Sequence, residues 1–224
     1  MTEKNKETKF TLLLVITSII CLLPICLSLT VYNVLPEKVV MQWNFEGNPN
    51  WYAHKAVIAF GMPVFFMVFN ALVYFLVRID PRRKNISTAM LLFVDFFIPV
   101  LSLILIPIMV FMNLGVDLPI KIIILSLAGV LFIFFGNYMP KNRQNDSAGI
   151  RISWTLSSAE NWNKTHRLAG VIWIIGGLLF IATAFLPLPN IAGIIIIFTV
   201  LFILIVMPIL YSYILYKKEK GTNS

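Results

Sequence analysis

Six apolar stretches, each about as long as a helix needs to cross the bilayer hydrocarbon, leave this chain few ways to fold. They run approximately over Phe10–Leu35, Val57–Val77, Ile86–Leu114, Leu118–Tyr138, Leu168–Leu186 and Ile191–Tyr216. Hydrocarbon offers a backbone amide no water to bond, so each stretch is expected to satisfy its polar groups internally as a helix. Only Gly115-Val116-Asp117 joins the third and fourth stretches, and only Pro187-Leu188-Pro189-Asn190 joins the fifth and sixth, so both pairs form tight antiparallel hairpins. The fold class that follows is an all-α integral membrane protein, six transmembrane helices in an up-and-down bundle. With 59% of the 224 residues hydrophobic and 12% charged, no stretch is left over for a separate soluble domain.

The first stretch has the look of a signal peptide, yet it is too long and no small-x-small cleavage site closes it. Neither Ser18-Ile19-Ile20 before Cys21 nor Leu23-Pro24-Ile25 before Cys26 puts a small residue next to the cysteine, as a lipoprotein signal does. A retained first span is expected. Both cysteines fall inside it, without the spacing of a disulfide framework or a metal site.

A net charge of +8 in a soluble protein suggests nucleic acid, but here its distribution carries the information. With the N-terminus placed in the cytoplasm, fifteen of the eighteen Lys and Arg fall on that side. Lys38, Lys55 and Lys121 fall on the other. Positive charge on short loops stays inside, so both termini are expected to be cytoplasmic in a multi-pass protein of the plasma membrane. The lipid bilayer is then the first partner, and no direct nucleic-acid contact is implied. Two extramembrane features stand out: an external loop, 33–56, and a cytoplasmic segment, 139–167. They divide the chain into a two-span N-terminal region, 1–77, and a four-span region, 78–224.

In the cytoplasmic segment, Pro140 stops the fourth helix and Asn145-Asp146-Ser147-Ala148-Gly149 has turn chemistry. Ser157-Ser158-Ala159-Glu160 has capping-box spacing, with the Ser157 hydroxyl expected on the Glu160 amide and a helix starting there. That helix puts Trp162 and His166 on one face and runs into the fifth span. Trp154 and Trp162 are rings suited to the headgroup layer. His166 has no cysteine, serine elbow or carboxylate pair beside it, so no catalytic, cofactor or metal site is expected. An interfacial connector is the plain reading of this segment.

In the external loop Val39, Met41, Trp43 and Phe45 alternate with Val40, Gln42, Asn44 and Glu46, the period of a strand. Gly47-Asn48-Pro49-Asn50 supplies a turn, and Trp51-Tyr52 lead back to the interface. Such a strand either faces an incoming peptide or caps the bundle. Within the spans Asn70, Asp95 and Asn113 are polar, and a carboxylate at this depth costs roughly 2.5 to 3.5 kcal/mol. Asn70 and Asp95 stand at similar depths on either side of the connection between the second and third spans, which predicts a hydrogen bond between them, with an arginine of the cytoplasmic segment snorkelling in.

The order Gly136-Asn137-Tyr138-Met139-Pro140-Lys141, Asn145, Gly149-Ile150-Arg151, Trp154-Thr155-Leu156-Ser157, Trp162, Lys164-Thr165-His166-Arg167 and Gly170 resembles the SdpI family of bacterial membrane proteins. Ile152-Ser153 stands where that family commonly has Thr-Pro. Leu35-Pro36-Glu37-Lys38, Gln42-Trp43-Asn44, Gly47, Pro49 and His54-Lys55 is similar to the short N-terminal domain that often accompanies it, with Gln42 where a histidine is usual. The resemblance implies a non-enzymatic immunity protein that protects a bacterium against a secreted, membrane-active peptide toxin. It also implies a sensor, holding a cytosolic DNA-binding autorepressor at the membrane once toxin is bound. The toxin-facing residues implied are Pro36, Gln42, Trp43, Asn44, Phe45 and Gly47. For docking the repressor they are Asn137, Pro140, Asn145, Gly149, Arg151, Trp154, Trp162, His166 and Arg167. A small transporter or exporter and an intramembrane enzyme stay open as other classes. The first needs a continuous polar pathway, the second paired reactive groups at one depth.

Overall fold

The computed structural model describes residues 3–43 and 48–222. Among the described residues six helices are long and apolar enough to span a membrane: Thr11–Val31, Val57–Arg78, Thr88–Asn113, Ile120–Lys141, Ala159–Phe185 and Ile191–Lys220. The chain forms two compact units, one from Met1–Arg78 and Leu91–Leu118, the other from Ile79–Met90 and Pro119–Ser224.

In the first unit, α1 (Glu3–Leu22) and α2 (Pro24–Val31) are one span interrupted at Leu23, because Pro24 has no amide to continue the ladder. The connection that follows is a small antiparallel sheet, which adds strand to an otherwise helical chain. In it β1 (Lys38–Trp43) pairs with β2 (Pro49–His54), Val40 opposite Tyr52. The alternation read from sequence holds along β1: Val39 is fully buried and Met41 packs on the core, while Lys38 and Gln42 are exposed. A single wide turn, Val57–Gly61, opens into α3 (Met62–Arg78), and α4 (Thr88–Asn113) completes the unit. Its core joins Cys21, Leu35, Val39, Ile58, Phe66, Ile98, Ile106 and Val110, so the sheet is anchored through Val39.

The second unit contains α5 (Ile120–Tyr138), the one-turn α6 (Ser153–Ser157), α7 (Ala159–Phe185) and α8 (Asn190–Thr222). Helices α5 and α7 meet through facing glycines. A Cβ on Gly136 would lie 2.6 Å from the Gly170 carbonyl oxygen, and one on Gly129 2.5 Å from that of Gly177. Both glycine pairs are seven residues apart along their helices, and small residues let backbones approach this closely in lipid. Across the α7–α8 seam Phe180, Val200 and Leu204 form the core. Pro208 in α8 leaves the Leu204 carbonyl without its helical donor, and the Trp173 indole N–H takes that place at 3.0 Å.

Candidate functional site

Segment 139–167 is a polar knot tied to the short connection 79–90. After the turn at Met139–Lys141, Asn142 is buried and every one of its polar atoms is bonded. Its Oδ1 accepts the Ser87 amide (2.8 Å), its Nδ2 donates to the Tyr138 carbonyl (3.2 Å), and its own carbonyl accepts the Trp162 indole N–H (2.9 Å). Gln144 Nε2 donates to the carbonyls of Thr155 and Leu156 at 2.8 and 2.7 Å, and Asn85 Nδ2 donates to the Gln144 carbonyl. Asn145 is wholly buried, its Oδ1 accepting the amides of Ser147 and Ala148, which fixes the expected turn. Asp80 accepts the amides of Arg82 and Asp146, and Arg82 grips the Asp146 carboxylate through two nitrogens. The hydrogen bond and charge of Arg82 hold the Asp146 carboxyl below the usual carboxylate range, and the same contact raises the guanidinium.

Under this knot lies a stack of Trp162 on His166, ring centroids 4.0 Å apart and both side chains buried. The Ile150 amide donates to His166 Nε2 (3.0 Å), so the ring proton sits on Nδ1 and points to the Trp162 carbonyl at 2.7 Å. Both ring nitrogens are engaged. Gly149 covers the stack with φ +126°, where a Cβ would stand 2.4 Å from His166 Nε2. Only glycine adopts that backbone and leaves that space. Thr155 Oγ1 donates to the Ile150 carbonyl and accepts the Ile152 amide. Asn161, also buried, ties α7 to α8 through the Ser212 carbonyl (2.9 Å) and hydroxyl (2.6 Å). Trp154 is half-buried against Tyr213 and Tyr216.

Three expectations change here. The α7 cap is Ser158, whose hydroxyl accepts the Asn161 amide; Ser157 closes α6 and bonds back to the Trp154 carbonyl, so Glu160 is left to pair with Lys164. Trp162 is no headgroup anchor, because its indole N–H has an internal acceptor and its ring a neighbour. Asn70 and Asp95 do not bond each other. Asn70 Nδ2 donates to Thr17 Oγ1 (3.0 Å) on α1, and Asp95 takes both terminal nitrogens of Arg78 at 2.8 and 3.1 Å. Asp95 is about 10 Å inside α4, within the reach of an arginine at the end of α3, and a charge-assisted fork outcompetes an amide. The Arg78 guanidinium also lies over the Tyr74 ring.

Of the remaining residues expected to dock a repressor, Asn137 and Pro140 are exposed, Asn137 accepting from Lys141. Arg151 is exposed and donates to the Asp146 carbonyl, and Arg167 is exposed. Sequence reasoning passed over Asn142, Gln144, Asp80, Arg78 and the glycine pairs. Their signals were polar residues inside a short loop, an arginine at a span end facing an intramembrane acid, and two seven-residue glycine spacings.

In the 33–56 loop, Pro36 and Gln42 are exposed and Trp43 half-buried; Asn44, Phe45 and Gly47 lie outside the described residues. Asn113, at the end of α4, bonds both the amide (2.7 Å) and the carbonyl (3.0 Å) of Val40 and so occupies the outer edge of β1 there. Trp51 and Tyr52 on β2 are each more than half exposed. Glu37 links His54 and Lys55, and the Lys55 contact lowers its carboxyl pKa.

The SdpI/YfhL protein family model matches residues 141–212, covering most of the knot with α7 and part of α8. A second model, described as a domain of unknown function (DUF1648), matches residues 19–67, which include the sheet. Immunity protein SdpI of Bacillus subtilis (strain 168) is 29% identical over 93% of this chain and 98% of its own length. No solved structure matches.

Proposed function

Because residues 141–212 match the SdpI/YfhL family model, we propose that this chain is a membrane immunity protein protecting its bacterium against a secreted, membrane-active peptide toxin. The observation that carries this reading is the similarity to an immunity protein along nearly the whole length of both chains. In the proposed orientation both termini and the polar knot are cytoplasmic and the sheet faces outward, which the fifteen-to-three split of Lys and Arg supports. The sheet is the toxin-facing element: β1 is held by Val39 and Asn113, and β2 offers Trp51, Tyr52 and an outer backbone edge to an extended peptide. Expression in a sensitive host challenged with peptide toxins tests the whole reading. Survival equal to that of the empty vector, at confirmed membrane abundance and across the panel, refutes it.

The finer part of the proposal is a sensing arm on the inner face. Arg143 and Arg151 are exposed on the knot and Trp154 is partly so, a charged and aromatic surface suited to a soluble repressor. Trp162 and His166 take no direct part, being buried. A tagged repressor encoded beside this chain is expected to move to the membrane on toxin addition, and Arg143→Glu with Arg151→Glu to abolish that movement. Unchanged movement in the double variant removes this surface from the proposal.

A further inference from the structure

One furrow of the second unit begins at the last residues of the knot and leads away from it along α7. Along the α7–α8 seam a cavity of about 750 Å³ opens among Lys164, Arg167, Leu168, Val171 and Tyr211. About one turn further along the seam a second, of about 250 Å³, is lined wholly by apolar residues and glycine, among them Ile172, Ile175, Leu179 and Val200. The polar chemistry is confined to one end. Lys164 is paired with Glu160, an exposed i,i+4 contact of little strength, and Arg167 makes no ion pair among the described residues. Arg167 immediately precedes the apolar run that starts at Leu168, which sets it at the depth of lipid headgroups.

We propose that this furrow holds one anionic phospholipid, its phosphate on Arg167 and Lys164 and an acyl chain along Ile172, Ile175 and Leu179. A cationic mouth over an apolar trough matches the two ends of a lipid and of little else that a bilayer contains. The Glu160 carboxylate shares the mouth and Glu219 lies within electrostatic reach of Lys164, so Arg167 is the cation left for an anionic headgroup. Tyr211 stands where its ring can cover the glycerol backbone. A free phosphate fills only a small part of the larger cavity and has no use for the smaller one.

The test is native mass spectrometry of the full chain released from nanodiscs of phosphatidylcholine with phosphatidylglycerol. One retained phosphatidylglycerol per chain is expected, against no retained phosphatidylcholine. Arg167→Gln is expected to weaken affinity for phosphatidylglycerol about fivefold, read by varying its mole fraction in the nanodisc, the effect of one basic residue at a headgroup. Arg167→Lys should keep the lipid, and Leu179→Trp should weaken its retention by filling the trough. Lys121→Gln, which removes an exposed cation far along the chain from the furrow, should change nothing. Each substituted protein is compared at unchanged thermal midpoint, and Arg167→Lys supplies the reading if Arg167→Gln is unstable. Equal retention of phosphatidylcholine, an equal loss in Lys121→Gln, displacement of the lipid by inorganic phosphate, or a lipid-free dimer overturns the proposal.

Discussion

The sheet of the 33–56 loop and the knot of 139–167 are both polar interruptions in an apolar chain, but they handle their polar groups in opposite ways. In the knot Asn142, Asn145, Asn161, Thr155 and His166 are buried and bonded mostly to the backbone groups around them, so nearly every donor has an internal acceptor. In the sheet Val39 alone is wholly buried, one side chain holds β1, and the aromatic rings of β2 lie open. Buried polar groups left half-satisfied are costly, so the knot tolerates little change, whereas an exposed strand is free to vary and to bind. A polar loop in a membrane protein therefore announces a surface or a scaffold only once its donors and acceptors have been traced.

Substitutions that sharpen this contrast can be ranked. The largest effect is expected at the ion pair of the first unit, a reference for both regions: Arg78→Leu strands the buried Asp95 and should cost about 3–5 kcal/mol, with the Arg78→Leu/Asp95→Leu pair recovering much of it. Denaturant titration in mild detergent measures both. Next comes Gly149→Ala in the knot, where a positive φ and a Cβ against His166 together should cost about 2–4 kcal/mol and lower the amount of protein in the membrane. Ser158→Ala removes the α7 cap and should cost about 1 kcal/mol, whereas Ser157→Ala should be near neutral. In the sheet Trp51→Ala should leave stability within about 0.5 kcal/mol yet reduce survival under toxin; the reverse pattern breaks the comparison.

The smallest effect is one of pH. The Asp146 carboxyl titrates below its ordinary value in the folded chain, so its pairing with Arg82 contributes fully above that ordinary value, about 3.9. It is lost as pH falls through the depressed folded value. Amide exchange across 143–151 should therefore be indifferent to pH between 7 and about 4, once corrected for intrinsic rates, and accelerate only below it. Acceleration near pH 6 points instead to His166 and contradicts its role as a fixed neutral ring.

The spans were legible because hydrocarbon thickness writes itself into run length, and the β1 alternation because one face of that strand meets a core. Pairing was less legible. Depth counting put Asn70 and Asp95 level, which was necessary for a bond but not sufficient, since Thr17 on another helix and a snorkelling Arg78 offered each a different partner. The serine dipeptide at 157–158 hid which hydroxyl caps α7, a choice made by where α6 ends. Trp162 has the composition of an interfacial anchor and the location of a core residue, because its N–H found the Asn142 carbonyl twenty residues away in sequence. The glycine contacts between α5 and α7 were visible as spacing, yet their meaning depends on which helices face each other.

The division of labour rests on which side of the membrane each region occupies, and site-directed labelling addresses that directly. In a background with Cys21 and Cys26 replaced by alanine, Asn50→Cys in β2 and Ser157→Cys at the end of α6 both place a thiol at an exposed position. In intact cells an impermeant maleimide should modify Asn50→Cys and spare Ser157→Cys until the membrane is opened. Labelling of Ser157→Cys in intact cells, with Asn50→Cys protected, contradicts the account.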